Sequence, residues 1–301
     1  VPIVKASEVG METGVPMGTG PYIYTESTTG ATLVRNPNWW CGNTKIPATD
    51  KSIELVPVTS PADVRDEFQF GKVSVVCTNP MSDSFAEYRC DYELWEIESG
   101  YFLYLGCNIL YSEHFEDGTL RTFLTYGIDR ETLAQEAYKG MVDTVTLPCS
   151  PSETYYSKSL AEKYSYDSMR FIQILSQIAK PKKPLRLLVN SDDSARLRTA
   201  RDISDTLNEL GVPCGTLEYG NSTNPTYEVV LRANNWDLVL GQTKLPPNYD
   251  LSEFFRPWGN LSWGSVDNEG LYNLCKEALD NHGNYYNLHK ALADDGRIIP
   301  L

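Results

Sequence analysis

Residues 185–242 alternate between short apolar runs and helical segments, and this alternation most constrains the fold. LRLLVN, VPCGTLEY and WDLVL have the pattern of strands, and SARLRTARDISDTLNELG and NPTYEVVLRANN lie between them as helices. In the first helix the apolar residues recur at spacings of three and four, which is typical of a helix packed on a sheet. Connections that contain a helix join parallel strands. The alternation therefore predicts an α/β fold with a parallel sheet.

The stretch WDLVLGQTKLPPNYDLSEFFRPWGNLSWG, residues 236–264, is the predicted wall of a ligand site. We expect a buried strand over residues 236–240 that stops at Gly241 and opens into a long loop. Polar groups at the carboxyl ends of parallel strands gather at one edge, where α/β folds bind ligands. The predicted ligand-binding residues are amide, hydroxyl, cationic and aromatic side chains at this edge and in its loops: Asn190, Asn224, Gln242, Thr243, Lys244, Asn248, Trp258 and Trp263.

The two tryptophans of this list have an alternative interpretation. Trp258 and Trp263 flank the sequence GNLS in a predicted loop. Large rings in loops either form small satellite cores or offer stacking surfaces to a ligand, because they supply contact area at little entropic cost. Both interpretations remain open at the level of the sequence.

The amino-terminal part has the pattern of strands. Residues 22–25 and the segment before Asn36 predict a β-hairpin, IELVPV a further strand, SPADVRDEFQFGK a helix capped by Ser60, and VSVVCT another strand. Helical patterns dominate after Asn108, with Asp129 as the cap of a helix, and the tail predicts two amphipathic helices and a final short strand. We therefore predict two lobes, a strand-rich one over residues 1–108 and a ligand-binding one over residues 109–301.

Charge and hydropathy exclude several classes of partner. The chain contains 26 Lys and Arg and 40 Asp and Glu, so its formal charge is −14. Because of this negative charge, neither a nucleic acid nor an anionic membrane surface is an expected partner. The longest nearly apolar run, residues 101–110, is about half of the ~20 residues that a membrane-spanning helix needs. The opening VPIVKASEVG lacks an initiator Met and the pattern of a signal peptide, which suggests a trimmed or processed chain.

Motifs of catalysis and of metal binding are missing from the sequence. It contains no G-x-S-x-G, H-E-x-x-H or C-x-x-C pattern, and His282 and His289, which lie seven residues apart, have no carboxylate at ligand spacing. The sequence is instead rich in aromatic and amide side chains, with 19 Tyr and 6 Trp. We therefore expect a protein that binds a polar organic solute, without catalysis, cofactor or metal.

Several segments, taken in order, resemble one family. They are GTGPYIY, LVRNPNWW, DEFQFGKVSVV, YLGCN, EDGTLRTFLTYGIDRETL and the closing RIIPL. Together they resemble the family 5 extracellular solute-binding proteins of ABC transporters, which include oligopeptide-, dipeptide- and nickel-binding proteins. The resemblance covers nearly the whole chain. It implies a hinged fold of the periplasmic-binding type II class, with two lobes of mixed sheets and flanking helices, of which this chain is a partial copy.

The resemblance also implies a function. It implies the substrate-binding component of an importer, a monomer that captures a small peptide or similar polar solute between its lobes and delivers it to an ABC permease. Its location would be the periplasm or, with a lipid anchor, the outer face of the membrane. Peptide-binding members commonly carry G-W-x-x-D after the strand, with the acid pairing the peptide ammonium, whereas here Gln242 replaces the Trp and Leu245 the acid.

Two other functions are compatible with the sequence. The same fold occurs behind DNA-binding domains, so a ligand-sensing module of a transcription regulator is the principal alternative. A hydrolase or a metal-binding protein is the third. A lipobox or a helix-turn-helix in sequence preceding this chain would discriminate the first two, and turnover of peptides or stoichiometric metal would indicate the third.

Overall fold

The computed structural model describes residues 18–27, 30–41, 50–77, 88–115, 118–179, 181–263, 267–281 and 284–301. The chain divides into two compact units, Val1–Leu94 and Trp95–Leu301. Each unit is described by itself.

The described residues of the first unit form a three-stranded antiparallel sheet and one helix. The strands are β1 (Tyr22–Ser27), β2 (Gly30–Arg35) and β3 (Ser52–Leu55), in that order across the sheet. The helix is α1 (Pro61–Gln69), whose Asp63 amide donates a hydrogen bond to the Ser60 hydroxyl oxygen. The predicted hairpin and the Ser60 cap are confirmed.

The strand predicted for VSVVCT is wrong. Residues 73–77 form no strand, and Thr78 lies outside the described residues. Val75 keeps 83% of its surface exposed, so the apolar alternation that suggested a strand covers no core. Among the described residues, the strand–helix–strand unit predicted after residue 52 is therefore absent, and the strand that pairs with β3 is β2.

The second unit is built on a five-stranded mixed sheet with the order β6-β5-β7-β4-β8. Its strands in chain order are β4 (Tyr101–Cys107), β5 (Leu185–Asn190), β6 (Cys214–Tyr219), β7 (Leu238–Lys244) and β8 (Ile298–Pro300). The three strands β6, β5 and β7 are parallel, as the alternation predicted, and β4 runs antiparallel to β7 and to β8.

Nine helices of the second unit have described bounds and flank this sheet. They are α2 (Thr119–Phe123), α3 (Arg130–Tyr138), α4 (Lys158–Lys163), α5 (Ser168–Leu175), α6 (Ser194–Glu209), α7 (Tyr227–Arg232), α8 (Ser252–Phe255), α9 (Glu269–Asp280) and α10 (Tyr285–Asp295). The Asp129 side chain caps α3 by accepting a hydrogen bond from the Thr132 amide, as predicted. The two helices and the short strand predicted for the tail are confirmed.

Side chains on the two faces of the sheet belong to different cores. Leu105 of β4 and Leu240 of β7 lie in the core beneath α3, α5 and α6. Tyr104 of β4 lies in a second core formed with α8, α9 and α10. Val239 of β7 lies in a third, smaller cluster beside α7. This alternation follows from the two-residue period of a strand.

The placement of β4 differs from the predicted lobe boundary at residue 108. The sequence interpretation assigned residues 101–107 to the first lobe, whereas β4 lies between β7 and β8 in the sheet of the second unit. Register explains the position, because all seven residues of β4 pair with β7 from Tyr101 opposite Lys244 to Cys107 opposite Leu238. Pairing between distant segments leaves little trace in local periodicity.

Candidate functional site

The candidate site lies where β5 and β7 end. These strands run parallel and pair from Leu187 opposite Leu238 to Val189 opposite Leu240. The strand β7 does not stop at Gly241, as predicted, but continues to Lys244. The reason is β4, which keeps pairing with β7 after β5 has ended. Gln242, Thr243 and Lys244 therefore lie on a strand and not in a loop.

This extension leaves one edge of β7 open. From Gly241 to Lys244, β7 pairs with β4 on one side, and no strand pairs with its other side within the described part of the chain. An edge of this kind presents unpaired backbone N–H and C=O groups. Such an edge is the surface to which an extended peptide adds as a further strand.

Gln242 and Lys244 flank this edge with polar side chains. Both are exposed, and they point to the same face of β7, opposite Leu103 and Tyr101 of β4. The aliphatic stem of Lys244 lies beside Gly100, whose carbonyl accepts a hydrogen bond from the Leu245 amide. Neither side chain has a hydrogen bond or ion pair to another described residue. An amide and a cation are thus available at the edge.

Gly241 lies beneath the ring of Tyr104. A β-carbon built on Gly241 would lie 2.5 Å from the Tyr104 hydroxyl oxygen and against its Cζ atom. The ring also meets Phe254 of α8 edge-on, with the centroids 5.0 Å apart, and it is 5% exposed. Gly241 is therefore required so that the tyrosine ring can lie flat against β7 at the carboxyl end of the parallel strands.

Three predicted asparagines have local roles in the structure. The Asn190 side chain accepts a hydrogen bond from the Asp192 amide at 2.9 Å, which shapes the turn after β5. Asn224 is exposed and precedes Pro225 in the loop between β6 and α7. Asn248 is exposed, and its carbonyl oxygen accepts a hydrogen bond from the Tyr285 hydroxyl. Only Asn190 lies at the end of a strand next to β7.

The two tryptophans have different environments. Trp263 packs against the cluster that contains Val239 beside α7, and the Arg232 guanidinium lies 5.2 Å from the centre of its ring. Trp258 is 97% exposed and has a left-handed backbone, with φ of 59°. The structure thus places Trp263 in a satellite cluster close to β7 and displays Trp258 to solvent. Gly264, the last residue of the predicted wall, lies outside the described residues.

A buried ion pair fixes the amino end of β7. The Asp237 carboxylate accepts hydrogen bonds from the Ser112 hydroxyl at 2.6 Å, and from the backbone amide and Nε of Arg186 at 2.8 and 2.9 Å. Burial alone would raise the pKa of Asp237, but the hydrogen bonds from Arg186 and Ser112 outweigh it and lower that pKa. The pair joins the amino ends of β5 and β7, and the candidate site lies at the other end of these strands. Its role is therefore structural.

Metal-ligand clusters and membrane-spanning helices are both absent from the described residues. Among the described residues no three His, Cys, Asp or Glu side chains come together as metal ligands. None of the helices that the structure describes has the length and apolar character needed to cross a membrane.

Comparison with known proteins decides the family. A family model described as bacterial extracellular solute-binding proteins, family 5 middle, matches residues 3–265. The chain belongs to this family. Its solved relatives include the ABC transporter substrate binding protein CtaP of Listeria monocytogenes, with 15% identity over 95% of this chain and a TM-score of 0.73. Another is the oligopeptide-binding protein AppA of Bacillus subtilis in complex with a nonapeptide, with 18% identity over 94% of this chain and a TM-score of 0.57.

A curated protein is also similar. Heme-binding protein A of Haemophilus influenzae is 23% identical over 174 residues, which are 55% of this chain and 30% of that protein. The chain spans 60% of the length of each of the two solved relatives. These likenesses show the periplasmic-binding type II fold, and the reported proteins give no support to the transcription-regulator alternative.

Sequence reasoning missed two residues beside β7, Tyr104 and Tyr227. Tyr104 lies over Gly241, and Tyr227 of α7 packs against the cluster that contains Val239. Tyr104 stands in YFLYLG, which has the apolar pattern of a core strand, and Tyr227 stands in NPTYEVV, which has the pattern of a helix. Neither pattern indicates a ligand-binding residue. No local signal reveals either, because their proximity to β7 depends on strand pairing and helix placement.

Proposed function

We propose that the whole protein is the substrate-binding component of an ABC importer, and that this chain contributes the open edge of β7 to its solute site. The observation that carries the proposal is the extension of β7 beyond β5, with Gln242 and Lys244 free of partners among the described residues. Membership of an extracellular solute-binding family supports the proposal. We also propose that the remaining predicted residues contact the solute at the margin of the site: Asn190, Asn224, Thr243, Asn248, Trp258 and Trp263.

A small peptide or a similar polar solute suits this edge. An extended peptide satisfies the free backbone groups of β7 through its own main chain. Lys244 adds a cation for a carboxylate, and Gln242 adds both a donor and an acceptor. The relatives support organic solutes, since one is described as a heme-binding protein and another holds a nonapeptide.

We further propose an oligomeric state, a mode of action and a location for the protein. It acts as a monomer without catalysis or cofactor and delivers the solute to an ABC permease. Its location is the periplasm or, through a lipid anchor, the outer face of the cell membrane. Its family description supports an extracellular location.

The proposal predicts loss of affinity in Lys244→Ala and in Gln242→Ala. An equimolar library of peptides of two to nine residues, with free or amidated carboxyl ends, is screened against the full-length protein, and the tightest peptide is titrated by calorimetry. We expect about 10- to 100-fold weaker binding in Lys244→Ala, because a charge-assisted hydrogen bond contributes about 1.5–3 kcal/mol. We expect about fivefold weaker binding in Gln242→Ala, in which a neutral hydrogen bond is lost.

Matched controls are available on exposed helix surfaces. Lys158 of α4 and Gln173 of α5 are exposed and lie outside the candidate site. Lys158→Ala and Gln173→Ala should bind the peptide as the wild type does. Equal affinity in all four variants would show that this edge does not contact the solute.

A further inference from the structure

The Tyr104 hydroxyl group lacks a hydrogen-bond partner within the part of the chain that the structure describes, and its oxygen atom is not sealed from solvent. The side chain is nevertheless 5% exposed, among the well-buried residues of the unit. A hydroxyl donor that stays accessible beside a buried ring bonds to water in the free protein and can exchange that water for a solute oxygen. The phenol is therefore available to a partner outside the described chain.

Packing does not account for the hydroxyl. The Tyr104 ring stacks on Phe102 with the centroids 5.7 Å apart and meets Phe254 edge-on at 5.0 Å. A phenylalanine ring would make both contacts equally well. Core packing therefore explains the ring at this position, and the oxygen atom is left without a structural role.

Tyr227 is a second phenol in the same region. It opens α7, its backbone amide donates to the Gly220 carbonyl at 3.1 Å, and its side chain packs against the cluster beside β7. Burial raises the pKa of Tyr104, and the neighbouring Tyr227 adds to the rise. The Tyr227 hydroxyl also lacks a hydrogen bond to any described residue. Both phenols thus remain protonated donors at neutral pH.

Position relates the two phenols to the solute site. The Tyr104 oxygen lies over Gly241, the residue at which β7 passes the end of its pairing with β5. Val239, the preceding β7 residue on that face, belongs to the cluster against which Tyr227 packs. Gln242 and Lys244 point to the opposite face of the same strand segment. The open edge therefore has a cation and an amide on one face and two phenols on the other.

We propose that the Tyr104 and Tyr227 hydroxyls donate hydrogen bonds to an acceptor oxygen of the bound solute, a carbonyl or a carboxylate. This inference deepens the proposed function and rests on it. It names both tyrosines as determinants of specificity, since a solute without an oxygen at that point leaves the two donors unpaired.

Tyr104→Phe separates a binding role from a structural one. With the peptide found in the library screen, we expect about tenfold weaker binding in Tyr104→Phe and a further loss in Tyr104→Phe/Tyr227→Phe. The melting temperature without ligand should stay within about 1 °C of the wild type, since no bond within the described chain is lost. Circular dichroism and calorimetry measure the two quantities.

Tyr164→Phe is the matched structural control. Tyr164 is also buried, but its hydroxyl donates a hydrogen bond to Asp294, away from β7. This variant should lose about 2–4 °C in melting temperature and keep the affinity of the wild type. Unchanged affinity in Tyr104→Phe/Tyr227→Phe would overturn the inference and leave the proposed function standing. Failure of the wild type to bind any library member would overturn both.

Discussion

We expect Asp237→Ala to lower the free energy of unfolding of the second unit by about 3 kcal/mol. Asp237 is 2% exposed and accepts hydrogen bonds from Ser112 and from three nitrogen atoms of Arg186. Alanine leaves the backbone amide of Arg186 and the Ser112 hydroxyl without their acceptor. Removal of one partner of a buried pair costs about 3–5 kcal/mol, and the lower end applies because the Arg186 side chain reaches solvent. Urea denaturation followed by circular dichroism measures the loss.

Glu218→Ala is the control for Asp237→Ala. Glu218 pairs with Arg201 at 2.7 Å, but both side chains are substantially exposed. Removal of this pair should cost at most about 1 kcal/mol, the range of surface ion pairs. If Asp237→Ala unfolds at the same urea concentration as Glu218→Ala, the buried pair does not hold β5 and β7 together.

Acid should destabilise the second unit through His289. This histidine is fully buried, neither ring nitrogen has a hydrogen-bond partner among the described residues, and burial lowers its pKa to about 4. It lines a small cavity with Phe102, Phe255, Leu292 and seven further residues, none of which is ionisable.

The sign of the effect follows from the two states of His289. In the unfolded chain the imidazole takes up a proton below pH 6.5, whereas the folded protein resists protonation until about pH 4. The contribution of neutral His289 to the free energy of unfolding is therefore complete above pH 6.5 and is lost as the pH falls towards about 4. The linkage relation gives a loss of about 2 kcal/mol at pH 5 relative to pH 7.5.

Urea denaturation at pH 7.5 and pH 5 tests this linkage. In His289→Leu the part of the pH dependence that belongs to the imidazole should disappear, so the difference between the two pH values shrinks by about 2 kcal/mol. Equal pH dependence in the wild type and His289→Leu would mean that His289 does not resist protonation in the fold.

The parallel half of the sheet could be predicted from the sequence because its signals are local. The strand predicted for LRLLVN is β5, residue for residue, and the apolar stripe of α6 faces the core as its spacing indicated. Helix caps such as Ser60 and Asp129 were predictable for the same reason, since a cap side chain bonds to an amide three residues away.

Elements that depend on distant partners were predicted less well. The end of β7 at Lys244 is set by β4, which lies more than a hundred residues earlier in the chain. The sequence around Gly241 offered a plausible strand end, because glycine and the following polar residues are typical of one. For VSVVCT the sequence predicted a strand that is not there. Its apolar pattern is typical of a strand, but its described residues 73–77 pair with no sheet.

The candidate site shows the same division between local and distant signals. The carboxyl ends of β5 and β7 share an edge as the alternation predicted, which places Asn190, Gln242 and Thr243 at that edge. The two phenols were not predictable, because Tyr104 reaches Gly241 through the register of β4 with β7. The predicted roles of Trp258 and Trp263 as contacts of the solute remain predictions.

Native mass spectrometry of the full-length protein, purified from cells grown in rich medium, tests the central claim of solute capture most directly. The spectrum is recorded before and after denaturation, and the released molecules are identified by their fragmentation. We expect one small organic solute per protein, a peptide or a molecule with similar polar groups, that the denatured protein releases. A spectrum that shows only the mass of the protein, both as purified and after incubation with the peptide library, would contradict the account.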